Sequence, residues 1–329
     1  MKHRRIPGLI NVFEVNDPGE IRVLSNEQFL DRGFDTRTCP FNWFLLKRSL
    51  SVLSLDGRRF PTMVSRRCPS RARAQEELSR NLDRQVAEIK GGPATLEPLA
   101  NWIKGVGSSL EVGILTQQLL GNLFRNDFVA TRESWTAAQV LVTAPRSSNI
   151  PRLLWGFASG KVKRAKRLLA EMVGNDLSAV NAIGIAVHNI VKGFHHMRSL
   201  YSDIGLRRTL SPEAVVNQCL RAPVSVYRQS TEAGTILGNP FAKRSLFILR
   251  IGSASQVKEG RSLVFMEDSW SKCPASKWVP ALFEGVWRRA ASALNTDGMA
   301  NCASNAPAQS LTLLGGVTFN GDRNHADTQ

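Results

Sequence analysis

Ser269-Trp270-Ser271-Lys272-Cys273-Pro274-Ala275 is the stretch whose reading decides the fold of this chain. A basic residue precedes the cysteine, a proline follows it, and a small residue stands two places on. An amphipathic stretch, 278–294, comes next. A thiolate that ligates a metal needs a tight loop whose backbone amides face the sulfur. It then needs a helix whose N-terminal dipole steadies the negative charge. The segment around Cys273 has that local order. A Cys-Pro pair by itself is weak evidence, because cysteine is among the most commonly buried residues. What raises its weight is the order of the elements upstream.

Ser211-Pro212-Glu213 starts a short helix that runs to about Arg221, with serine as N-cap, proline first and an acid in the first turn. Strand texture follows at Val224, Val226 and Tyr227, and again over 235–237 and 245–251; Gly238-Asn239-Pro240 reads as a turn. Before these lies the longest helical candidate, 179–201, apolar at Val180, Ile183, Val187, Ile190, Val191 and Phe194, and so central and buried. Helical spacing also marks 71–90, ended by Gly91-Gly92-Pro93, and then 110–124, 134–142 and 164–173, with 144–148 a loop. Residues 8–30 alternate loosely around Asp17-Pro18-Gly19. The last helix is expected over 279–294, and 310–319 reads as a hairpin inside a Gly- and Asn-rich tail. No internal repeat is present.

The run Gln218-Cys219-Leu220-Arg221-Ala222-Pro223-Val224-Ser225-Val226-Tyr227-Arg228, followed by the Cys273 loop, resembles the cytochrome P-450 (haem-thiolate) family. In that family a short helix carries Glu-x-x-Arg, whose side chains pair and brace the cysteine loop; the next strand carries an arginine for a haem propionate. The resemblance puts Arg221 in the first arginine position and Arg228 in the second, and a planar, bidentate guanidinium suits a carboxylate. It implies haem b with Cys273 as the axial iron ligand, and Cys273 and Arg228 as the cofactor-binding residues.

This sequence departs from the pattern at several positions. Gln218 stands where the family has glutamate, so the ion pair becomes a neutral–charged hydrogen bond. Met266, with Phe265 one place early, meets the expected phenylalanine; Ser269 and Ala275 replace glycines. Only 255–261 remains of the meander before the cysteine. On the long helix Gly184 keeps the family's glycine, but its acid–alcohol pair is missing. His188 and Asn189 are the polar groups left there to relay protons, and they are the candidate catalytic residues. A core histidine satisfied by hydrogen bonding is the commoner case. His195 and His196, adjacent and therefore on different helix faces, read as surface or helix end. Leu55-Asp56-Gly57-Arg58-Arg59-Phe60 resembles the family's Asp-Gly-x-x-His stretch with Phe60 at the histidine position, and Arg66 and Arg67 read as a basic surface. Trp270, Trp278 and Trp287 around Cys273 read as packing.

The chain has 329 residues, 43% of them hydrophobic, enough for a large core. Forty-three Lys and Arg against 27 Asp and Glu leave +16, which suits an acidic partner or is a solvated face. Five scattered cysteines with no CxxC indicate neither a disulfide framework nor a zinc site and read as reduced, cytosolic thiols. No signal peptide forms, and no run reaches the roughly 18 apolar residues of a membrane span. The chain therefore reads as cytoplasmic. Dinucleotide, P-loop, zincin and nucleophile-elbow motifs are absent. Scattered aromatics weigh against nucleic acid.

The expected fold is mainly α with small β-sheets, a shortened cytochrome P-450-like domain over 1–297, better matched over 176–297, with a tail over 298–329. The resemblance implies an oxidoreductase of the soluble bacterial type. As a haem-dependent monooxygenase it would hydroxylate a small apolar, terpenoid-like substrate, with dioxygen and electrons from an acidic ferredoxin-type donor. Two alternatives stand beside it. One is an inactive homolog that binds haem or an apolar ligand; the other is a basic helical protein that binds nucleic acid or an acidic protein.

Overall fold

The computed structural model describes residues 1–5, 11–31, 54–55, 58–59, 69–143, 160–269 and 272–300. Strands β1 (Lys2–Arg5) and β2 (Asn11–Val15) lead into α1 (Pro18–Asn26), where Asp17 caps the helix by accepting from the Glu20 amide at 2.8 Å. The short strands β3 (Leu30–Asp31), β4 (Ser54–Leu55) and β5 (Arg58–Arg59) precede the long α2 (Pro69–Lys90). Gly92, at φ 69°, lets the chain turn out of α2 where other residues would be strained. Then come α3 (Glu97–Ile103), α4 (Ser109–Asn122), α5 (Arg132–Thr143) and α6 (Lys161–Met172). Ser108 and Glu111 form a reciprocal capping box on α4.

The long helix α7 (Leu177–Ser202) carries a π turn at Ala182–Ala186. After it follow α8 (Ile204–Thr209), α9 (Pro212–Cys219), strands β6 (Val226–Ser230), β7 (Gly234–Ile236), β8 (Asn239–Phe241) and β9 (Leu246–Leu249), and α10 (Ile251–Ala254). A 3-10 run, Lys258–Val264, leads to the cysteine loop, and α11 (Trp278–Ala300) ends the described chain.

Five strands form one sheet in the order β1-β2-β9-β6-β3, with β2 and β9 parallel and the other pairs antiparallel. Period-2 alternation sends Phe13, Val15, Phe247 and Leu249 into an apolar layer that α1 covers with Ile21 and Leu24. A larger helical core is built around α7. By length and composition α7 could cross a membrane, but Val187, Ile190, Val191, Phe194, Met197 and Leu200 are buried within the helical core. Phe194 meets Phe283 of α11 edge-on at 5.0 Å, and the Tyr201 hydroxyl donates to the Ala290 carbonyl at 3.2 Å. At Gly193 a Cβ would lie 2.3 Å from the Phe283 ring and 2.7 Å from the Cys219 carbonyl, so only glycine lets α7 lie this close to α9 and α11.

The chain divides into two units, Met1–Ala291 and Ser292–Gln329. Three sequence expectations need correction. Gly238-Asn239-Pro240 is not a turn: Leu237 and Gly238, at φ 50° and 74°, make a tight hairpin turn, and Asn239 already begins β8. The last helix passes Leu294 and takes in residues assigned to the tail as far as Ala300. Helices α3 and α8 stand where no helix was expected, because each is short and closes its turns with tertiary packing or an Asp203 cap rather than with apolar period. The loop at 144–148, the hairpin at 310–319 and Trp270, Asp56, Phe60, Arg66 and Arg67 lie outside the described residues.

Candidate functional site

The loop before α11 is tied by its own backbone. Met266 sits at φ 53° and its carbonyl accepts from the Ser269 amide and hydroxyl, each at 3.0 Å. The Lys272 amide returns to the Ser269 carbonyl at 3.1 Å, and the Cys273 amide to the Phe265 carbonyl at 2.8 Å. These bonds draw Lys272 and Cys273 back onto Phe265 and Ser269, and Cys273, half-buried, stands just before a proline-led 3-10 turn, Pro274–Ser276, and then α11. Cys273 thus leads the 3-10 turn, and α11 begins five residues on, at Trp278. Met266 itself is buried beside Leu263 in the apolar layer of the sheet. Trp278 and Trp287 are buried too, and the Trp278 indole donates to Gln85 of α2 at 3.2 Å, so these tryptophans pack the start of α11.

The second described cysteine behaves differently. Cys219, at the end of α9, is 0% exposed, and burial pushes its thiol up to about 12, against a smaller opposing pull from Arg221. It stays protonated at neutral pH and cannot serve as a thiolate. Alkylation with iodoacetamide near neutral pH is expected to leave Cys219 unmodified in the folded chain and to label it once the chain is unfolded; mass spectrometry checks this.

Arg228 lies on β6, opposite Phe247 of β9, with only 1% of its surface exposed. Its Nη1 donates to the Tyr227 carbonyl at 2.9 Å. A guanidinium this buried is costly unless polar or anionic groups meet it.

The brace expected between Gln218 and Arg221 takes another form. Gln218 is exposed, and Arg221 donates Nη1 to the main-chain carbonyls of Gln218 and, at 3.0 Å, Leu220. Without a carboxylate at 218, the guanidinium goes to the unpaired carbonyls at the C-terminus of α9, where the helix dipole also favours a cation.

His188 and Asn189 both lie half-buried on α7, just past the π turn. The His188 ring packs on Trp135 of α5, centroids 4.8 Å apart. Gly184 faces the same side: a Cβ there would meet Leu141 of α5 at 2.9 Å and Leu169 of α6 at 3.0 Å. Gly184 and His188 thus look toward α5 and α6, whereas Gly193 looks toward α9 and α11. His195 and His196 point to different surroundings, as their adjacency implied. His195 meets Trp102 edge-on at 5.0 Å, and desolvation, then Arg198, lowers its pKa.

Two features of the site are not legible in the sequence. Arg22 of α1 reaches the meander before the cysteine, donating to the Glu259 carbonyl and, at 3.3 Å, to Ser262 Oγ, with Asp268 3.9 Å away. More than 230 residues separate these partners, and no local pattern announces such a contact. The other is buried Gln117 on α4, which the sequence marks only as the middle of a Thr116-Gln117-Gln118 polar run between apolar residues. Among the described residues no group of three or more His, Cys, Asp and Glu could hold a metal ion.

No family model matches the chain, and no curated protein does. Solved structures do. A cytochrome P-450 OleT variant in complex with arachidonic acid superposes with TM-score 0.57 at 9% identity, covering 87% of this chain and 82% of that one. A variant of the mixed-function P-450 MycG in complex with mycinamicin IV gives 0.53 at 13%, covering 89% and 85%. CYP175A1 from Thermus thermophilus gives 0.51 at 14%, covering 86% and 81%. The chain is similar to these proteins in fold, and the fold is that of the cytochromes P-450, mainly α with small sheets.

Proposed function

We propose, from the cytochrome P-450 fold, that this chain is a haem-dependent monooxygenase that hydroxylates a small apolar substrate. The observation that carries the reading is the placement of Cys273: a half-buried thiol on a closed loop directly ahead of the last helix, while Cys219 is sealed in the core. The donor set fits haem b at two points, a thiol for the iron and the buried guanidinium of Arg228 for a propionate. Thiolate-ligated haem supplies dioxygen activation when bound.

The chain's own residues do the rest. The bond from the Cys273 amide to the Phe265 carbonyl holds the backbone that carries the thiol, and Arg22 holds the meander before it. Arg228 orients an anionic group at the sheet. His188 and Asn189 are the polar groups on α7 that would relay protons to the reaction when haem is bound. An apolar, terpenoid-like substrate would be held by hydrophobic surface. Electrons would come from an acidic ferredoxin-type protein, for which a net charge of +16 is complementary. A cytoplasmic location follows from that pairing and from the cysteine usage.

A second reading has its own observation. His188 packs against Trp135, and α7 carries no acid–alcohol pair, which favours a homolog that binds haem or an apolar ligand without turnover. The absorption spectrum of the purified chain, reduced with dithionite and exposed to carbon monoxide, tests both. A red-shifted Soret band establishes thiolate-ligated haem, and substrate oxidation then separates enzyme from inactive binder. A chain that takes up no haem on reconstitution ends both haem readings and returns attention to the basic surface.

A further inference from the structure

Helix α7 changes register at Ala182–Ala186. In a regular α-helix the Val187 amide would donate to the Ile183 carbonyl, four residues back. Here it donates to Ala182, five back, as a π turn requires. The Ile183 carbonyl, in the buried core, is thereby released from its helical partner. A side chain from another helix takes it: Gln117 of α4 donates Nε2 to Ile183 O at 3.0 Å.

Gln117 is 0% exposed and has no freedom to turn. Its Nε2 also reaches the Ser134 carbonyl at 3.1 Å, and its Oε1 accepts from Ser134 Oγ at 2.5 Å. Ser134 is itself held at the start of α5, where its Oγ accepts from the Thr131 amide at 2.9 Å and its amide donates to Thr131 Oγ1 at 3.1 Å. Three helices therefore converge on one carboxamide whose oxygen and nitrogen are told apart by their partners. The widened turn is also packed closely: a Cβ at Gly184 would press on the ends of Leu141 and Leu169 at 2.9 and 3.0 Å.

From this we infer that Gln117 is a register lock: its carboxamide replaces the Val187 amide at the Ile183 carbonyl and holds α7 in the π-turned register. The π turn inserts one residue, so its collapse to α-helix would rotate one side of α7 against the other by about 100°, one residue's share of a turn. His188 sits two residues past the π turn, and its ring contact with Trp135 depends on that register. Gln117 is a positioning residue for His188. The catalytic consequence rests on the proton-relay role proposed above; the lock does not, and it is tested without measuring turnover.

The test reads the ring protons of His188 by NMR in the full chain, reduced and treated with carbon monoxide, a diamagnetic sample whether or not haem is bound. The His188 resonance is assigned by its loss in His188→Gln. In the unaltered chain the Trp135 ring current displaces it. Gln117→Met keeps the volume and removes the donor, and is expected to abolish that displacement while far-UV circular dichroism stays helical. Ser134→Ala, which removes only the hydroxyl that orients the carboxamide, is expected to reduce it. A folded Gln117→Met chain with an unmoved His188 resonance makes Gln117 an ordinary satisfied core amide and overturns the lock. If Gln117→Met does not fold, an unmoved resonance in Ser134→Ala overturns it equally. Absence of haem leaves this readout intact, so the lock and the haem reading fail separately.

Discussion

Replacing Cys273 by serine is expected to abolish the red-shifted Soret band of the reduced, carbon monoxide-treated protein completely. The substitution changes one atom. The loop is closed through backbone groups, the Cys273 amide on the Phe265 carbonyl and the Lys272 amide on the Ser269 carbonyl, and these survive the change. Cys273 is only half-buried, so a hydroxyl in place of the thiol meets little desolvation cost. Loss of the band therefore reports the ligand and not the fold. An alcohol is a far weaker acid than a thiol, so serine cannot supply the anionic ligand. Haem binding also adds stability by mass action, about 2.7 kcal/mol at a hundredfold excess over Kd, which should appear as a higher Tm in the unaltered chain than in Cys273→Ser. A serine variant that keeps the shifted band would show that another group ligates the iron.

The largest loss of stability is expected from Phe283→Ala, about 3–5 kcal/mol, measured by urea unfolding monitored in the far ultraviolet. Phe283 is 1% exposed and fills the space that Gly193 leaves on α7. Its ring also meets Phe194 edge-on at 5.0 Å, a contact that adds to simple burial. Truncation would empty the seam between α7 and α11, and α11 is the helix that follows the cysteine loop. The backbone of α7 is held near its place by Tyr201, whose hydroxyl reaches the Ala290 carbonyl, so the seam has little room to collapse. A loss under 1 kcal/mol would mean that the seam closes after all.

Much of the fold was legible because its elements are long and amphipathic. Residues 71–90, 110–124 and 179–201 show apolar spacing of three to four, and each is a helix within a few residues of the expected ends. Ser211-Pro212-Glu213 marks a helix start by capping chemistry that works locally, and the cap is made. Asp17-Pro18-Gly19 left open whether a strand or a helix follows, and the structure starts α1 there with Asp17 as its cap. The strands at β2, β6 and β9 were visible for the same local reason. The brace at Gln218 was misread because a residue type at a motif position does not say which way its side chain turns. Gln218 faces solvent, and Arg221 has main-chain carbonyls closer to hand.

What the sequence determined by itself is the order of elements and the presence of one cysteine in a helix-leading loop, since caps, turns and apolar period act over a few residues. The tertiary structure decided which side each polar group faces. His188 and Gly184 turn toward α5 and α6, Arg228 is sealed in the sheet, and Arg22 clasps a meander more than 230 residues away. The register of α7 was also decided there. An isolated helix would close every i to i−4 bond; only a carboxamide from α4, waiting in the core at 3.0 Å, makes it favourable to leave one open.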